Sequence, residues 1–583
     1  MPEPKKELAV GNMNFRYIRE DGCYYVDKTA ELKKLIGSGH STVLLTRPRR
    51  FGKTLTQTTL KAFLELNYAD PADVSLPRRL FSGLDIAKDE EFCRRHMGQY
   101  PVIYLSFKDT GRDTFPEVLS ALSFLVSDLY SSFEFVLKEH ENCLATAQKI
   151  RLQKYFRLDD LDELSAPEQL IKLLVNSLST LRSVLYRIYQ RKVYILIDEY
   201  DVPLQQARNK EFYPGVLSLM RGMLSDVIKN DKDCRCILTG CLRVAKESIF
   251  TGANSIMVYG MDEAGFSQLM GFTEDEVSAM LSYYGLDLLL TEVRAWYDGY
   301  IFYKSRIYCP WSIACFCAQA RESGDRRTRN FWINTSSNDF ILEVIDRASP
   351  GGIVQLQTLL DGGSVKTHIS ENVSFFDLKE CADDRTLFSI LWLTGYLTRV
   401  NAPEEQFDEL KIPNREVREC FEHMVRLYFN SSGSMAGKYA AKLLAALKSG
   451  EAMQTEAVLN YLFGRFLSIR SMNRELAYHV YTQGFLSAAG TLLRLAIEEE
   501  NGLGFSDVSF CFDASTGCIL EFKLAKDAKS LQAAALQGLE QIESRRYAEG
   551  YMRKNNLSRL YCYGIGCREK ACAVAARIYS LPK

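Results

Sequence analysis

The sequence lacks paired C-x-x-C elements; its closest cysteines are Cys234 with Cys236 and Cys315 with Cys317. Its 16 cysteines are scattered, and no two of them are separated by two residues. Zinc fingers and zinc ribbons hold their metal with such pairs, so this class of metal site is excluded. We expect free thiols, as in a protein of a reducing compartment.

Long apolar runs and an excess of charge are also missing. No uninterrupted apolar stretch is long enough to cross a bilayer, and residues 1–6 have no apolar signal core. The 72 basic and 73 acidic residues leave a net charge of -1, so any nucleic-acid site has to be a local patch. We therefore expect a soluble, cytoplasmic protein without a membrane partner.

Composition and length instead favour a globular protein with several cores. The chain has 583 residues, of which 47% are hydrophobic and 25% charged, and this length suggests about three domains. Apolar strands that alternate with helices predict a doubly wound parallel sheet with helices on both faces. The predicted strands are Val43–Thr46, Val102–Phe107, Val193–Ile197 and Cys236–Thr239, and the main helices are Phe115–Tyr130 and Glu168–Tyr189.

A phosphate-binding loop is the first functional motif. Thr46–Thr54 reads Thr-Arg-Pro-Arg-Arg-Phe-Gly-Lys-Thr and follows the apolar run Thr42–Leu45. In a strand–loop–helix context, a Gly-Lys-Thr sequence offers free backbone N–H groups, a lysine for terminal phosphates and a hydroxyl for magnesium. The motif is imperfect, because Arg47 stands where the usual loop begins with glycine. An ordinary turn into a helix is the alternative interpretation.

The second functional motif is a pair of acidic residues at the end of a predicted strand. Asp198 and Glu199 directly follow the apolar run Val193–Ile197. At the end of a buried strand, the first acid can orient magnesium and the second can polarise a water for attack on the γ-phosphate. The alternative is a charged turn that caps the strand. Because ligands bind at the carboxyl ends of parallel strands, we expect these acids and the Gly-Lys-Thr loop to share one cleft.

The last quarter of the chain predicts different chemistry. Phe505–Phe512 and Cys518–Leu524 alternate as the two strands of a hairpin, which would bring Asp507 close to Glu521. Side chains two apart on a strand share a face, so Lys523 would join them, while Leu520, Phe522 and Leu524 would enter a core. Two carboxylates can share a magnesium ion beside a lysine. A solvated face with a cross-strand salt bridge is the alternative. A helix is predicted over Ala533–Tyr547.

These motifs together resemble the AAA-ATPase-like proteins that carry a C-terminal PD-(D/E)XK nuclease-superfamily domain. The resemblance covers nearly the whole chain. It is carried by Tyr25–Thr29, Arg47–Thr54, Ile197–Asp201, Thr239-Gly240, Ser248–Phe250, Tyr297–Tyr300, Pro310–Ser312, Thr394–Leu397 and Ile412–Asn414.

The resemblance implies an α/β fold in three regions: a P-loop ATPase domain over residues 1–265, a mostly helical region over 266–450 and a nuclease-like α/β domain over 451–583. It implies that ATP and Mg²⁺ are the cofactors. The implied cofactor-binding residues are Arg47, Arg50, Gly52, Lys53, Thr54, Asp198 and Thr239, with Thr239 as a sensor of the γ-phosphate.

In the C-terminal region the resemblance carries over five residues, which are Glu475, Asp507, Glu521, Lys523 and Gln541. Asp507 and Glu521 would hold a metal ion there, as Thr54 and Asp198 would in the first region. One departure concerns the approach to Asp507. Similar proteins have a basic residue there, and this chain has Gly504-Phe505-Ser506.

We therefore expect a Mg-dependent ATPase, with Glu199 as its catalytic acid, coupled to a nuclease that acts on nucleic acid, with DNA as the first expectation. Asp507, Glu521 and Lys523 would be the catalytic residues of the nuclease. The alternative is a nucleotide-gated nucleic-acid-binding or assembly module without cleavage activity. A monomer and a homo-oligomer both stay open.

Overall fold

The computed structural model describes most of the chain. The described residues are 5–158, 167–229, 232–243, 256–332, 350–370, 373, 384–401, 408–430, 435–466, 478, 482, 486, 492–501 and 504–580. The chain divides into two compact units, one formed by Met1–Ser336 with Gly362–Arg418 and the other by Ser337–Asp361 with Glu419–Lys583. The predicted domain boundaries at residues 265 and 450 stay a prediction.

A five-stranded parallel sheet forms the centre of the first unit. Its strands are β1 (Thr42–Thr46), β2 (Val102–Ser106), β3 (Val193–Asp198), β4 (Cys234–Gly240) and β5 (Ile256–Tyr259). Their order is β2-β3-β4-β1-β5, and each neighbouring pair is parallel. β1, β3 and β4 are buried along their whole length, as expected for strands covered on both faces. The predicted doubly wound α/β class and its four strands are confirmed.

Helices accompany this sheet through most of the first unit. α6 shows how the sequence sets a helix start, because Thr114 and Glu117 form a capping box and Pro116 stands in the first turn. The helices are α1 (Phe15–Glu20), α2 (Thr29–Gly37), α3 (Lys53–Leu64), α4 (Ser75–Phe81), α5 (Glu90–His96), α6 (Phe115–Ser131), α7 (Glu134–Glu139), α8 (Thr146–Tyr155), α9 (Pro167–Tyr189), α10 (Val202–Ala207) and α11 (Tyr213–Lys229).

The segment after β5 is largely helical, with two small antiparallel sheets. Among its aromatic side chains, Tyr297, Tyr300, Tyr308 and Trp392 are buried. Its helices are α12 (Glu274–Tyr284), α13 (Leu290–Tyr297), α14 (Pro310–Ser323), α15 (Pro350–Leu360), α16 (Asp384–Leu393), α17 (Arg415–Asn430) and α18 (Met435–Ser449). One small sheet pairs β6 (Tyr300–Phe302) with β7 (Ser305–Ile307). The other has three strands, β8 (Val365–Thr367), β9 (Thr398–Arg399) and β10 (Asp408–Lys411), and β10 lies between β8 and β9.

A mixed five-stranded sheet forms the second unit. Its strands run in chain order across the sheet, and β13 and β14 form the one parallel pair among them, with two helices between them in sequence. The strands are β11 (Leu493–Asn501), β12 (Gly504–Cys511), β13 (Thr516–Leu524), β14 (Arg559–Arg568) and β15 (Ala571–Ser580). The helices of this part are α19 (Ala452–Phe466), α20 (Leu531–Ser544) and α21 (Tyr547–Asn555).

Side-chain alternation gives this sheet two apolar faces. Val508, Phe510, Leu520 and Phe522 pack with residues of α18 and α19 in one core cluster. Cys511 and Ile519 pack with α20 and α21 in another. Both faces are therefore covered, and β13 is buried from Gly517 to Phe522.

Two predictions for this unit are corrected. The helix predicted to reach Tyr547 ends at Ser544, because Arg546 adopts a left-handed conformation with φ of 56°, and Tyr547 begins a new helix. Leu524 was predicted to enter the core but is 38% exposed, since it is the last residue of β13. Within the described ranges no helix has both the length and the apolar character that a membrane crossing requires.

Candidate functional sites

The Gly-Lys-Thr loop connects β1 to α3. Gly52 has a φ of 88°, a conformation that favours glycine, and α3 begins at the next residue. Lys53 is buried, and its Nζ donates to the carbonyl oxygens of Arg47 at 3.1 Å and Pro48 at 2.9 Å. The lysine therefore lies folded back over the loop, at the N-terminus of a helix where anions are favoured.

Asp198 is held between two hydroxyl groups. β4 lies between β1 and β3, with Leu45 opposite Thr239 and Ile197 opposite Leu238. This register lets Thr54 donate to Asp198 Oδ2 and Thr239 donate to Oδ1, each at 2.6 Å. The loop and the acid at the end of β3 therefore meet in one site, as the strand pattern predicted.

Glu199 has an unusual backbone and an unusual environment. Its φ of 53° lies in the left-handed region, which is uncommon for a residue other than glycine. Burial raises the pKa of its carboxyl group, the nearby Asp198 and Asp201 add to the rise, and Lys53 opposes it. A carboxyl group with a raised pKa beside a phosphate-binding loop suits proton transfer.

Asp201 is a residue of this site that sequence reasoning named only within a motif. Its Oδ2 accepts the backbone N–H groups of Cys241 and Leu242, each at 2.9 Å. The carboxylate thus holds the chain that leaves β4 against the end of β3. The sequence offered one signal for this residue, namely an acid three residues after Asp198, the aspartate that ends β3.

The arginines of the loop have different surroundings. Arg47 is 2% exposed, and its guanidinium donates to carbonyl oxygens of Thr46, Tyr259, Gly260 and Phe266. These bonds hold its guanidinium to the backbone around β5, and its predicted role in cofactor binding stays a prediction.

Arg50 lies elsewhere in the loop, half-buried, with its guanidinium 4.1 Å from the ring centroid of Trp311. Burial lowers its pKa. Its predicted role in cofactor binding stays a prediction.

A largely apolar cleft with a cavity volume of about 140 Å³ opens next to the loop. It is formed by the N-terminal segment Leu8–Met13, by Arg50–Gly52, by Thr56 and Thr59 of α3, and by Trp311. Sequence reasoning missed this cleft, since the N-terminal segment has no motif and reaches the loop only through the tertiary fold.

In the second unit, Asp507 and Glu521 meet where β12 and β13 separate. Backbone pairing of the two strands runs from Val508 opposite Leu520 to Cys511 opposite Gly517. On the N-terminal side of Val508, carboxylate side chains rather than backbone carbonyls accept the backbone N–H groups that face the other strand. Asp507 Oδ2 accepts the N–H of Phe522 at 2.7 Å, and Glu521 Oε2 accepts the N–H of Asp507 at 3.3 Å.

Glu521 also contacts the other two predicted residues. Lys523 Nζ donates to Glu521 Oε1 at 3.2 Å, and the Gln541 amide donates to the same oxygen. Burial, reinforced by the charge of Asp507, raises the pKa of Glu521 to about 7 although Lys523 opposes the rise. The four side chains thus form one cluster. Glu475 lies outside the described residues, as do residues 248–250.

The donors of both sites fit a divalent cation that also binds phosphate oxygens. The described residues contain no group of three or more His, Cys, Asp and Glu side chains placed for a metal ion. Thr54 with Asp198 offers a hydroxyl and a carboxylate, and Asp507 with Glu521 offers two carboxylates. Magnesium is commonly held by one or two carboxylates plus waters and substrate phosphates, so each pair is sufficient.

A parallel sheet whose first strand ends in a Gly-Lys-Thr loop, beside an acid from a nearby strand, defines a P-loop nucleoside-triphosphatase fold. Residues 9–250 match the family model AAA-ATPase_like, described as Predicted AAA-ATPase. Residues 473–577 match the family model described as PD-(D/E)XK nuclease superfamily. The chain thus combines an AAA-ATPase-like region with a PD-(D/E)XK nuclease-superfamily domain.

The chain is similar along most of its length to an "Uncharacterized protein in vnfD 5'region" of Azotobacter chroococcum mcd 1. The two are 24% identical over 558 residues, which is 94% of each chain. The solved structure of the Aeropyrum pernix ORC2 protein (ADPNP-ADP complexes) aligns with 68% of this chain and 92% of its own. The identity is 11% and the TM-score 0.22, and a score this low does not establish a shared fold.

Proposed function

We propose that this protein is a Mg-dependent ATPase whose C-terminal domain is a metal-dependent nuclease, with ATP binding as the step that licenses cleavage. The observation that carries the first part is the contact of Thr54 with Asp198 at 2.6 Å beside the buried Lys53. The cluster of Asp507, Glu521, Lys523 and Gln541 supports the second part.

The triphosphate would bind over the loop between β1 and α3. Lys53 would exchange its two carbonyl partners for phosphate oxygens, and the N-terminus of α3 would face the same charge. Thr54 and Asp198 would hold the magnesium ion, which neutralises charge that develops on the phosphates. The base and ribose would occupy the adjacent cleft, whose apolar lining suits a nucleoside.

Glu199 would position and polarise the attacking water. Its raised pKa makes it a better proton acceptor than an ordinary glutamate. Thr239 would act through Asp198, since its hydroxyl fixes one oxygen of that carboxylate.

In the second unit, Asp507 and Glu521 would hold a divalent cation against the scissile phosphate. When bound, such an ion activates water and stabilises charge on the phosphate oxygens. Lys523 would steer that water or stabilise the same charge, and Gln541 would keep Glu521 in place. Nucleic acid, with DNA as the first expectation, is the proposed substrate.

ATP hydrolysis by wild type, Glu199→Gln and Lys53→Ala protein tests the first activity. We expect a rate loss of about 10²-fold or more for Glu199→Gln with ATP binding kept, and loss of both for Lys53→Ala. Glu211→Gln is the control, because Glu211 is exposed in the same unit. Hydrolysis by Glu199→Gln at the wild-type rate would contradict the assigned role.

Nicking of supercoiled plasmid tests the second activity. We expect metal-dependent nicking by wild type and none by Asp507→Asn, whereas Asp513→Asn in the turn of the same hairpin keeps it. Nicking that is equal with and without ATP, and unchanged by Lys53→Ala, would show that the two activities are not coupled.

The second candidate is a nucleotide-gated module that binds nucleic acid without cutting it. The approach to Asp507 favours it, because this chain has Gly504-Phe505-Ser506 where similar proteins have a basic residue that could meet the scissile phosphate. Absence of metal-dependent nicking together with ATP-dependent binding of nucleic acid would select this candidate. The scattered cysteines, which we expect to be thiols of a reducing compartment, support a cytoplasmic location for either function.

A further inference from the structure

The phosphate-binding loop has three arginines, and one of them is held far more weakly than the other two. Arg47 bonds to backbone carbonyls around β5, and Arg50 lies over the ring of Trp311. Arg49 is half-buried, and its guanidinium donates to the side-chain oxygen of Gln205 at 3.2 Å. In the part of the chain that the structure describes, this is the one hydrogen bond of its side chain, and no carboxylate pairs with it.

The contact of Arg49 with Gln205 crosses the edge of the sheet where a ligand is expected. Arg49 belongs to the loop that follows β1, and Gln205 belongs to α10, the first helix after β3. β4 lies between β1 and β3. The side chain of Arg49 therefore spans the carboxyl ends of three neighbouring strands, which is the edge at which open α/β sheets bind their ligands.

Two cationic groups act on the same residues at this edge. Lys53 Nζ contacts Sγ of Cys241, the first residue after β4, at 3.3 Å. Burial raises the pKa of Glu199, and both Lys53 and Arg49 oppose the rise. Burial also raises the pKa of the Cys241 thiol, and the same two cations oppose it. Both charges thus lie near the place between the loop and Glu199 where a terminal phosphate would bind.

The single neutral partner of Arg49 is easily exchanged. A guanidinium has five N–H donors, and Gln205 accepts from Arg49 through one amide oxygen. A hydrogen bond between a guanidinium and a phosphate is charge-assisted and often bidentate, so it is stronger than a hydrogen bond to an amide. Arg49 can therefore leave Gln205 for phosphate oxygens when a triphosphate occupies the loop.

We propose that Arg49 is a catalytic residue of the proposed ATPase and contacts the γ-phosphate from within the phosphate-binding loop itself. The inference rests on the proposed function and adds a residue to its site. The oxygen of the attacking water forms a bond to the γ-phosphorus, while the bond from that phosphorus to the oxygen shared with the β-phosphate breaks. A proton of the water passes to Glu199, and ADP and phosphate leave. Arg49 keeps its proton and stabilises the charge that develops on the phosphate oxygens.

ATP hydrolysis by full-length wild type, Arg49→Ala, Arg49→Lys and Gln205→Ala protein tests this role. We expect Arg49→Ala to lower kcat about 10³-fold or more while KM stays unchanged, as for a contact made only in the transition state. Arg49→Lys should recover only part of the rate, because an ammonium lacks the planar fork of the guanidinium. Gln205→Ala is the matched control, since it removes the resting contact of Arg49 and leaves the guanidinium in place. It should hydrolyse ATP at the wild-type rate.

Calorimetric binding of ADP, with and without aluminium fluoride as a mimic of the transferred phosphate, gives a readout that does not depend on turnover. Wild type should bind ADP more tightly when aluminium fluoride and magnesium are present. Arg49→Ala should lose this gain and still bind ADP alone, which also shows that the variant is folded.

The possible outcomes separate the inference from the proposed function. Hydrolysis that requires Glu199 but survives Arg49→Ala would refute the role of Arg49 alone. An equal loss of rate in Gln205→Ala would show that the contact of Arg49 with Gln205 is structural, and would also overturn the inference. Wild-type protein that neither hydrolyses ATP nor gains affinity from aluminium fluoride would refute the proposed ATPase itself.

Discussion

Asp198 illustrates how single residues set the chemistry of the first unit. It is the last residue of a wholly buried strand, and two hydroxyl groups from other elements fix its two oxygens. A buried carboxylate needs such partners, since burial without them is costly. The same contacts orient it toward the position that we propose for the cation.

At this scale, Asp201 should matter for stability as well as for the site. Asp201→Ala would leave the buried N–H groups of Cys241 and Leu242 without their acceptor. We expect a loss of about 2 kcal/mol in the free energy of unfolding. Urea denaturation of wild type and Asp201→Ala measures this loss in the free energy of unfolding. Asp113→Ala, at a side chain 91% exposed, should change the free energy little, and an equal loss there would contradict the explanation.

Glu521 gives a prediction about pH. Its pKa is raised in the folded protein to about 7 from an ordinary value of 4.5, so its neutral form is favoured by folding. This contribution is fully present below about pH 4.5 and is lost as the pH rises through about 7. In EDTA, Glu521→Gln should therefore gain stability relative to wild type between about pH 5 and pH 8, on the order of 2 kcal/mol.

Thermal unfolding across this pH range measures the difference. Glu540→Gln is the control, because Glu540 is an exposed residue of α20, the helix that carries Gln541. A stability difference between wild type and Glu521→Gln that does not change with pH would show that the carboxyl group is not buried in the way described.

At the scale of elements, the contact of α20 with β14 positions Gln541. Gly564 and Gly566 of β14 lie so close to the helix that an added Cβ would be 2.1 Å from Ala535 O and 2.0 Å from Leu531 O. Glycine permits this approach, because any side chain would push the helix away. Only a helix this close brings Gln541 to Glu521.

Gly566→Ala should therefore displace α20. We expect a loss of about 2 kcal/mol or more in the free energy of unfolding, together with loss of metal-dependent nicking. Gly464→Ala is the control, since Gly464 lies within α19 with nothing within 4 Å of an added Cβ. That change should be neutral or stabilising by up to about 1 kcal/mol. Wild-type stability of Gly566→Ala would refute the packing argument.

At the scale of the whole molecule, the two compact units separate the two proposed activities. The proposed nucleotide site, with Lys53 and Asp198, lies in the first unit, and the cluster of Asp507 and Glu521 lies in the second. A ligand stabilises the unit that binds it, by an amount that grows with its concentration above the dissociation constant.

Mg-ATP should accordingly protect the first unit selectively. At about 100 times the dissociation constant it should add about 2.7 kcal/mol to the stability of that unit. Limited proteolysis followed by mass spectrometry should show slower cleavage within residues 5–332, with the effect lost in Lys53→Ala and kept in Asp507→Asn. Protection that persists in Lys53→Ala would contradict the proposed nucleotide site.

Much of this architecture was predictable because its signals are local. An apolar run followed by Gly-Lys-Thr or by two acids specifies a strand and its end, and alternation specified that Glu521 and Lys523 share a face. The end of α20 was not predictable, because the break depends on the left-handed conformation of Arg546 rather than on glycine or proline.

The sequence by itself determined four strands of the first sheet, the hairpin of Asp507 and Glu521, the Gly-Lys-Thr loop and the acids that follow the strands, because spacing along the chain encodes these features. Only the tertiary structure decided that Arg47 bonds to backbone carbonyls and that the N-terminal segment lines the cleft beside the Gly-Lys-Thr loop. Those facts depend on neighbours distant in the chain, since strand register and helix packing, rather than local pattern, bring these groups together.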